Sequence, residues 1–250
     1  MSTDAAFLDI AGVDFGYGGE PVLRGIDWRL PRGKIHCLVG RSGCGKTSLL
    51  KLAAGLLSPS SGEVRLDGRT LAGPSDAIGF MFQSPVLLEW LNVLDNVLLP
   101  VSLKRSPTAE DRREAGVLLA RLGLADLAAR RPSQLSGGQQ ARAALARALI
   151  LQPPLLLLDE PFAALDAMTR EELQDELLAL CARQGTSALF VTHDIAEAVY
   201  LGDKVALMER GRIAFERDID LPRPRRQALR YEPAFNALGR HLRDAMDAAR

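Results

Sequence analysis

The sequence predicts an α/β fold built on a mostly parallel sheet, and three observations predict it. Residues 35–39, 155–158, 188–192 and 205–208 are short runs with almost no polar alternation, as expected of strands covered on both faces. Helical periodicity separates them: residues 168–183 lie between the second and third runs, and residues 195–201 precede the fourth. The first run passes through a glycine-rich turn straight into a further helical pattern, the strand–loop–helix order of α/β proteins.

The remaining elements follow in order. Leu8, Ile10 and Val13 begin an extended segment that Gly16, Gly18 and Gly19 interrupt, and residues 22–30 resume it until Pro31 and Gly33. Residues 46–56 read as a helix, with Gly55 and Pro59 as stop signals. Residues 62–66 and 78–82 read as strands, the first followed by an Asp67-Gly68 turn. From 91 to 151 the chain turns rich in Leu and Ala, β-branched residues thin out, and a helical insert is expected. Residues 233–250 suggest an amphipathic helix of no evident chemistry.

Composition excludes several classes. Hydrophobic residues make up 47% and charged residues 25%, which allows a sizeable core. A formal net charge of zero gives no long-range field for nucleic acid or anionic lipid. The basic run Arg223, Arg225, Arg226 and Arg230 reads as a solvated, partly flexible face. Cys37, Cys44 and Cys181 show no metal-ligand spacing, and their odd number fits a reducing compartment. The N-terminus has neither the basic nor the apolar region of a secretory signal, and no apolar run approaches the ~18–20 residues of a membrane helix.

The most informative stretch is Gly40, Arg41, Ser42, Gly43, Cys44, Gly45, Lys46, Thr47, a match to G-x-x-x-x-G-K-[ST] between a strand and a helix, with Ser48 next. Triphosphate oxygens need surrounding backbone N–H groups, glycines let the chain curl that tightly, and the helix presents its positive end to the anion. Lys46 is placed to meet the β/γ-phosphates and the Thr47 hydroxyl to bind Mg²⁺. A glycine-rich turn that happens to precede Lys-Thr would arise in about one chain in a hundred of this length. Cys44 reads as a small filler of the loop, and an exposed position there would make it open to alkylation.

The apolar run 155–158 ends in Asp159 and Glu160. Asp159 suits a Mg²⁺ hydration shell, and Glu160 could accept a proton from an attacking water. Taken alone the pair reads equally as a solvated strand end. Leu135, Ser136, Gly137, Gly138 and Gln139 open another helix, offering a second anion-binding terminus or an ordinary Ser-Gly-Gly cap.

With that pentapeptide the chain resembles ABC-transporter nucleotide-binding subunits over nearly its whole length. The resemblance implies a P-loop (RecA-like) parallel sheet core, an N-terminal antiparallel β subdomain and an inserted helical subdomain at about 91–151. Residues 1–250 would form a single nucleotide-binding domain with a helical tail at about 233–250. It assigns Tyr17 (with Phe15 as the alternative) to adenine stacking and Gln83 to Mg²⁺ and the membrane partner. Asp166, in the Ala164-Leu165-Asp166 loop, is assigned to the dimer interface, and His193 to γ-phosphate contact and catalysis with Glu160 and Lys46. Read singly, Tyr17 is a hairpin aromatic, Gln83 a strand-end amide and His193 a loop histidine. The implied activity is hydrolysis of Mg²⁺-bound ATP by two copies facing head to tail, with residues 135–139 of one acting on the nucleotide of the other. A separate transmembrane permease and, indirectly, an extracytoplasmic solute-binding protein are the implied partners, nucleic acid is not, and the implied location is the cytoplasmic face of the cell membrane.

Residues 82–97 resemble the nitrate/sulfonate/taurine-type importer group, although Glu89 stands where that group usually has Pro. Residues 220–225 do so too, while Ala141 replaces the commoner Gln or Arg. The same segment should present apolar residues between Leu87 and Val93 to a short helix of the membrane subunit. Too little chain follows Gly211 for a regulatory domain of the sugar-importer kind. Alternatives are a soluble ABC-type assembly or scaffold ATPase, and a DNA-repair or ribosome-associated factor, which usually carries two modules.

Overall fold

The computed structural model describes residues 6–248. The first five residues, part of the segment inspected for a leader, lie outside that range, as do the last two of the expected terminal helix.

Two strands, β1 (Ala6–Tyr17) and β2 (Glu20–Pro31), open the chain, and β3 (Ile35–Gly40) leads into helix α1 (Lys46–Ala53). Next come β4 (Ser61–Leu66), β5 (Arg69–Thr70) and β6 (Ile78–Met81). The helical stretch holds α2 (Val93–Val97), α3 (Leu99–Ser102), α4 (Ala109–Arg121) and α5 (Gly137–Leu149). Strand β7 (Leu155–Asp159), helix α6 (Ala167–Gln184), strand β8 (Ser187–Thr192) and helix α7 (Ile195–Leu201) follow. The chain finishes with β9 (Lys204–Glu209), β10 (Arg212–Asp218) and α8 (Pro233–Ala248).

The strands form two sheets. One is antiparallel in the order β2-β1-β4-β5, and the other runs β10-β9-β3-β8-β7-β6. In the second sheet β9, β3, β8, β7 and β6 are parallel and only the edge strand β10 is antiparallel. The unbroken leucine run of β7 follows from its place inside this sheet. Leu156 and Leu158 pack with the helices on one face, and Leu155 and Leu157 pack with α1 and the antiparallel sheet on the other. Both side-chain rows are buried, so no polar alternation survives.

Three sequence expectations are corrected. Helix α1 ends at Ala53 rather than residue 56, where the Leu56 N–H turns back to the Lys51 carbonyl. Strand β10 was not anticipated, because Arg212–Asp218 exposes charged residues along a sheet edge and carries only Ile213 and Phe215 as inward anchors. The basic run near the C-terminus is a solvated face only in part: Arg223 and Arg226 are exposed, while Arg225 and Arg230 turn inward. Arg225 is buried and donates to the carbonyls of Val199, Tyr200 and Gly202, while Arg223 pairs with Asp203 at 2.9 Å. Arg230 lies over the Tyr200 ring, 3.6 Å from its centroid.

Candidate functional site

The glycine-rich loop joins β3 to α1 at the C-terminal edge of the parallel sheet. Gly45 caps α1 with φ of 109°, and a Cβ there would come within 2.7 Å of the Leu23 side chain and 3.0 Å of Met208. Only glycine fits both the torsion and the space. The Lys46 ammonium curls back over the loop and donates to Gly40 O at 2.8 Å and Arg41 O at 2.9 Å, which sets its charge at the loop's centre. Cys44 is buried rather than exposed, and burial pushes its thiol pKa up. The expected openness to alkylation is therefore corrected. Tyr17 is 49% exposed with its hydroxyl 3.5 Å from Ser48 Oγ, whereas Phe15 is buried beneath it in an edge-on contact at 4.8 Å. Of the two aromatics, Tyr17 has the free face.

Below the loop, Thr47 Oγ1 donates to Asp159 Oδ2 at 2.8 Å. Asp159 ends β7 almost fully buried, and desolvation raises its pKa while the Thr47 hydrogen bond works the other way. A hydroxyl and a carboxylate side by side are hard oxygen donors of the sort Mg²⁺ accepts, alongside phosphate and water.

Glu160 leaves the strand with φ of 45°, a left-handed conformation that costs a non-glycine residue about 1–2 kcal/mol. Its N–H is held by Val191 O at 3.0 Å, so the sheet enforces the turn. The result aims the carboxylate sideways. Glu160 Oε2 accepts from Gln83 Nε2 at 3.4 Å and lies 3.2 Å from His193 Nδ1. Gln83 comes from the end of β6 and His193 from the end of β8, the strands flanking β7. Topology alone thus gathers residues 83, 160 and 193.

Leu135 to Gln139 sit elsewhere. Ser136 caps α5 in a reciprocal box, with Gln139 N–H donating to Ser136 Oγ and Ser136 N–H to Gln139 Oε1. Gly137 lies in the first turn. Gly138 faces the Asp166 loop so closely that a Cβ would be 2.9 Å from Leu165 Cδ2. Asp166 caps α6 by accepting from Thr169 N–H at 3.0 Å, which holds its pKa down. Among the described residues, no hydrogen bond runs from positions 135–139 to the loop at 40–48.

Two contributors escaped the sequence reading. Arg147 on α5 donates to the carbonyls of Pro85 and Val86, both at 2.8 Å, and Asn96, buried, donates to Leu88, Leu91 and Asn92 carbonyls while accepting from Leu88 N–H. Together they shape the segment after Gln83. An Arg late in a helix and an Asn in an apolar run carry no periodic signal, so only the fold reveals them. Val93 is buried rather than presented outward, and Phe82, Val86 and Trp90 form the exposed apolar surface, with Trp90 72% exposed.

A phosphate-type loop opening a helix, an oxygen pair beneath it, and a carboxylate between an amide and an imidazole define a P-loop nucleotide-binding protein. The family model described as ABC transporter matches residues 23–163. The chain belongs to the ABC transporter family. It is 52% identical over 233 residues, 91% of each chain, to the aliphatic sulfonates import ATP-binding protein SsuB 1 of Xanthomonas axonopodis pv. citri. It is 50% identical over 222 residues to the SsuB of Ralstonia nicotianae, covering 89% of this chain and 75% of that one. The fold is similar to a dimeric post-hydrolysis structure of the ATP-binding cassette MJ0796 with ADP and phosphate, with TM-score 0.78 and 31% identity over 86% of this chain and 100% of the other. Structural likeness extends to cbiO1 of Clostridium perfringens, with TM-score 0.76 and 29% identity over 85% of this chain and 88% of that one.

Proposed function

We propose that this chain is the ATP-hydrolysing subunit of an importer for aliphatic sulfonates or closely similar small organic anions, acting through a separate membrane subunit. The observation that carries the chemistry is the meeting of Gln83 and His193 on Glu160 Oε2, beside the Thr47–Asp159 pair. The substrate class comes from the relatives, whose names are those of sulfonate importers. No helix among the described residues is long and apolar enough to cross a membrane, so the channel is assigned to another chain.

In this reading residues 1–250 work as one nucleotide-binding domain, with the helical subdomain at about 91–151 and the tail at about 233–250. Backbone N–H groups of residues 40–48 and the α1 terminus hold the phosphates, Lys46 neutralises the β- and γ-oxygens, and Tyr17 stacks on adenine. Thr47, Gln83 and Asp159 would hold Mg²⁺, which would supply charge neutralisation at the phosphates. Glu160 takes the proton of the attacking water. His193 orients that carboxylate and contacts the γ-phosphate.

Leu135, Ser136, Gly137, Gly138 and Gln139 act on the nucleotide of the opposite subunit, with Asp166 at the crossing. The lack of any hydrogen bond among the described residues between this segment and the chain's own loop supports this role. Two oppositely placed positive helix ends then clamp one γ-phosphate. Partners are a second copy, the membrane permease and, indirectly, an extracytoplasmic solute-binding protein. The site of work is the cytoplasmic face of the membrane.

Uptake of a radiolabelled alkanesulfonate by cells lacking the gene tests this. The wild-type chain should restore uptake and Glu160→Gln should not. Uptake that is unaffected by the deletion removes the sulfonate assignment, and restoration by Glu160→Gln removes the hydrolytic role.

A further inference from the structure

We infer that Glu197 is a positioning residue for His193, anchored from the C-terminal segment through Gln174 and Arg230. The inference rests on the reading of His193 as the γ-phosphate contact, and its evidence lies in the bonds that surround that histidine.

His193 occupies a short connection between β8 and α7, with its side chain largely exposed and, among the described residues, hydrogen-bonded only to Glu160. An imidazole so placed is oriented by its backbone. That backbone is fixed on both sides. Before it, Thr192, whose hydroxyl accepts the Asp194 N–H at 3.0 Å, lines the same small cavity as the Glu197 side chain and favours its charged form. After it, Asp194 Oδ1 caps α7 by accepting from Ala196 N–H at 2.8 Å and Glu197 N–H at 3.3 Å. Thr192 and Asp194 are therefore tied to each other across His193, the first beside the Glu197 side chain and the second to the Glu197 N–H, which sets a ring of contacts around the histidine.

Glu197 is 6% exposed, and among the described residues no cation forms an ion pair with it. A buried carboxylate in that position needs donors, and Gln174 Nε2 on α6 supplies one at 2.8 Å. An amide can rotate, so its orientation must be imposed. Arg230 imposes it by donating to Gln174 Oε1, which leaves the amide nitrogen pointing at Glu197. Arg230 is itself held, by stacking over Tyr200 and by Glu171 at 3.9 Å. The chain of contacts thus runs from the segment after β10, through the centre of α6, to the two residues that flank His193. A cavity of about 30 Å³ lined by Glu160, Thr192, His193 and Glu197 shows how closely this relay approaches the reacting carboxylate.

The requirement this places on catalysis is geometric. His193 must keep Nδ1 near 3.2 Å from Glu160 Oε2 as the nucleotide binds and leaves. Loosening the ring lets the imidazole wander, which lowers the rate of the chemical step and leaves the loop at 40–48, and with it nucleotide affinity, untouched.

The test measures kcat and KM for ATP with the purified full chain carrying Glu197→Ala, Glu197→Gln or Arg230→Gln, each with His193 present and with His193→Ala. With His193 present, Glu197→Ala should lower kcat about tenfold and Arg230→Gln about threefold, KM should hold within about twofold, and Glu197→Gln should recover most of the loss. In the His193→Ala background, followed by single-turnover phosphate release, the same changes should shrink below about twofold, because their target is gone. Equal losses in both backgrounds would show a general structural role and overturn the inference, as would unchanged kcat in Glu197→Ala and Arg230→Gln. If Glu197→Ala does not fold, Arg230→Gln carries the comparison on its own. Failure of the parent reading is seen separately: His193→Ala alone would then leave turnover intact.

Discussion

Replacing Arg225 with methionine should destabilise the protein by about 3 kcal/mol. The guanidinium is 8% exposed and serves three carbonyls: Val199 at 3.0 Å, Tyr200, and Gly202 at 2.6 Å. Val199 and Tyr200 lie in the last turn of α7, where carbonyls have no partner within the helix. Left bare in a buried setting, each acceptor costs about 1–3 kcal/mol. Against this, burial holds the guanidinium pKa down to about 10 from the ordinary 12.5, so removing the charge relieves a solvation penalty of about 3 kcal/mol. Three acceptors at about 2 kcal/mol each outweigh that relief by about 3 kcal/mol. For a chain of this size the loss corresponds to a fall in Tm of about 6–12 °C, readable by circular dichroism. Arg225→Lys should recover only part, because one ammonium cannot span all three oxygens. A Tm change under about 2 °C in Arg225→Met, or full recovery in Arg225→Lys, would refute the cap.

Glu160→Gln should cut phosphate release about 10²–10⁴-fold while ATP affinity stays near wild type, measured by a phosphate-release assay beside nucleotide titration. His36 is buried against Trp28, and burial, with Lys204 adding to it, lowers its pKa from 6.5 to about 4. The unfolded chain therefore takes up a proton first, so stability should fall by about 3 kcal/mol as pH drops from 6.5 to 4; denaturant melts should show that slope, and His36→Gln should flatten it. Trp90→Glu, on the exposed apolar surface after Gln83, should leave ATP binding intact and abolish co-purification with the multi-spanning membrane subunit from detergent extracts.

Much of the fold was legible because burial writes itself into composition. A strand covered on both faces must be apolar throughout, so residues 155–158 and 188–192 could be read without a structure. The phosphate loop was legible for a different reason, since its glycines are demanded by backbone torsion and space. Glu160 was visible as an acid at a strand end, yet its left-handed turn toward Gln83 and His193 was not, because neighbouring strands impose it. Arg225 and Arg230 looked like surface charge. Their acceptors, carbonyls of α7 and the Gln174 amide, are more than 20 residues away, and no local pattern announces a cation that caps a distant helix. The same holds for Asn96 and Arg147, whose partners are main-chain oxygens of an irregular segment.

The head-to-tail clamp is tested most directly by sedimentation of Glu160→Gln with ATP and Mg²⁺. Residues 135–139 of each copy should close on the nucleotide of the other, giving a particle of twice the monomer mass, and Ser136→Asp in the same chain should return it to a monomer by setting a negative charge against the γ-phosphate. A dimer that ignores Ser136→Asp, or no dimer at all under saturating ATP, would contradict the shared-nucleotide arrangement.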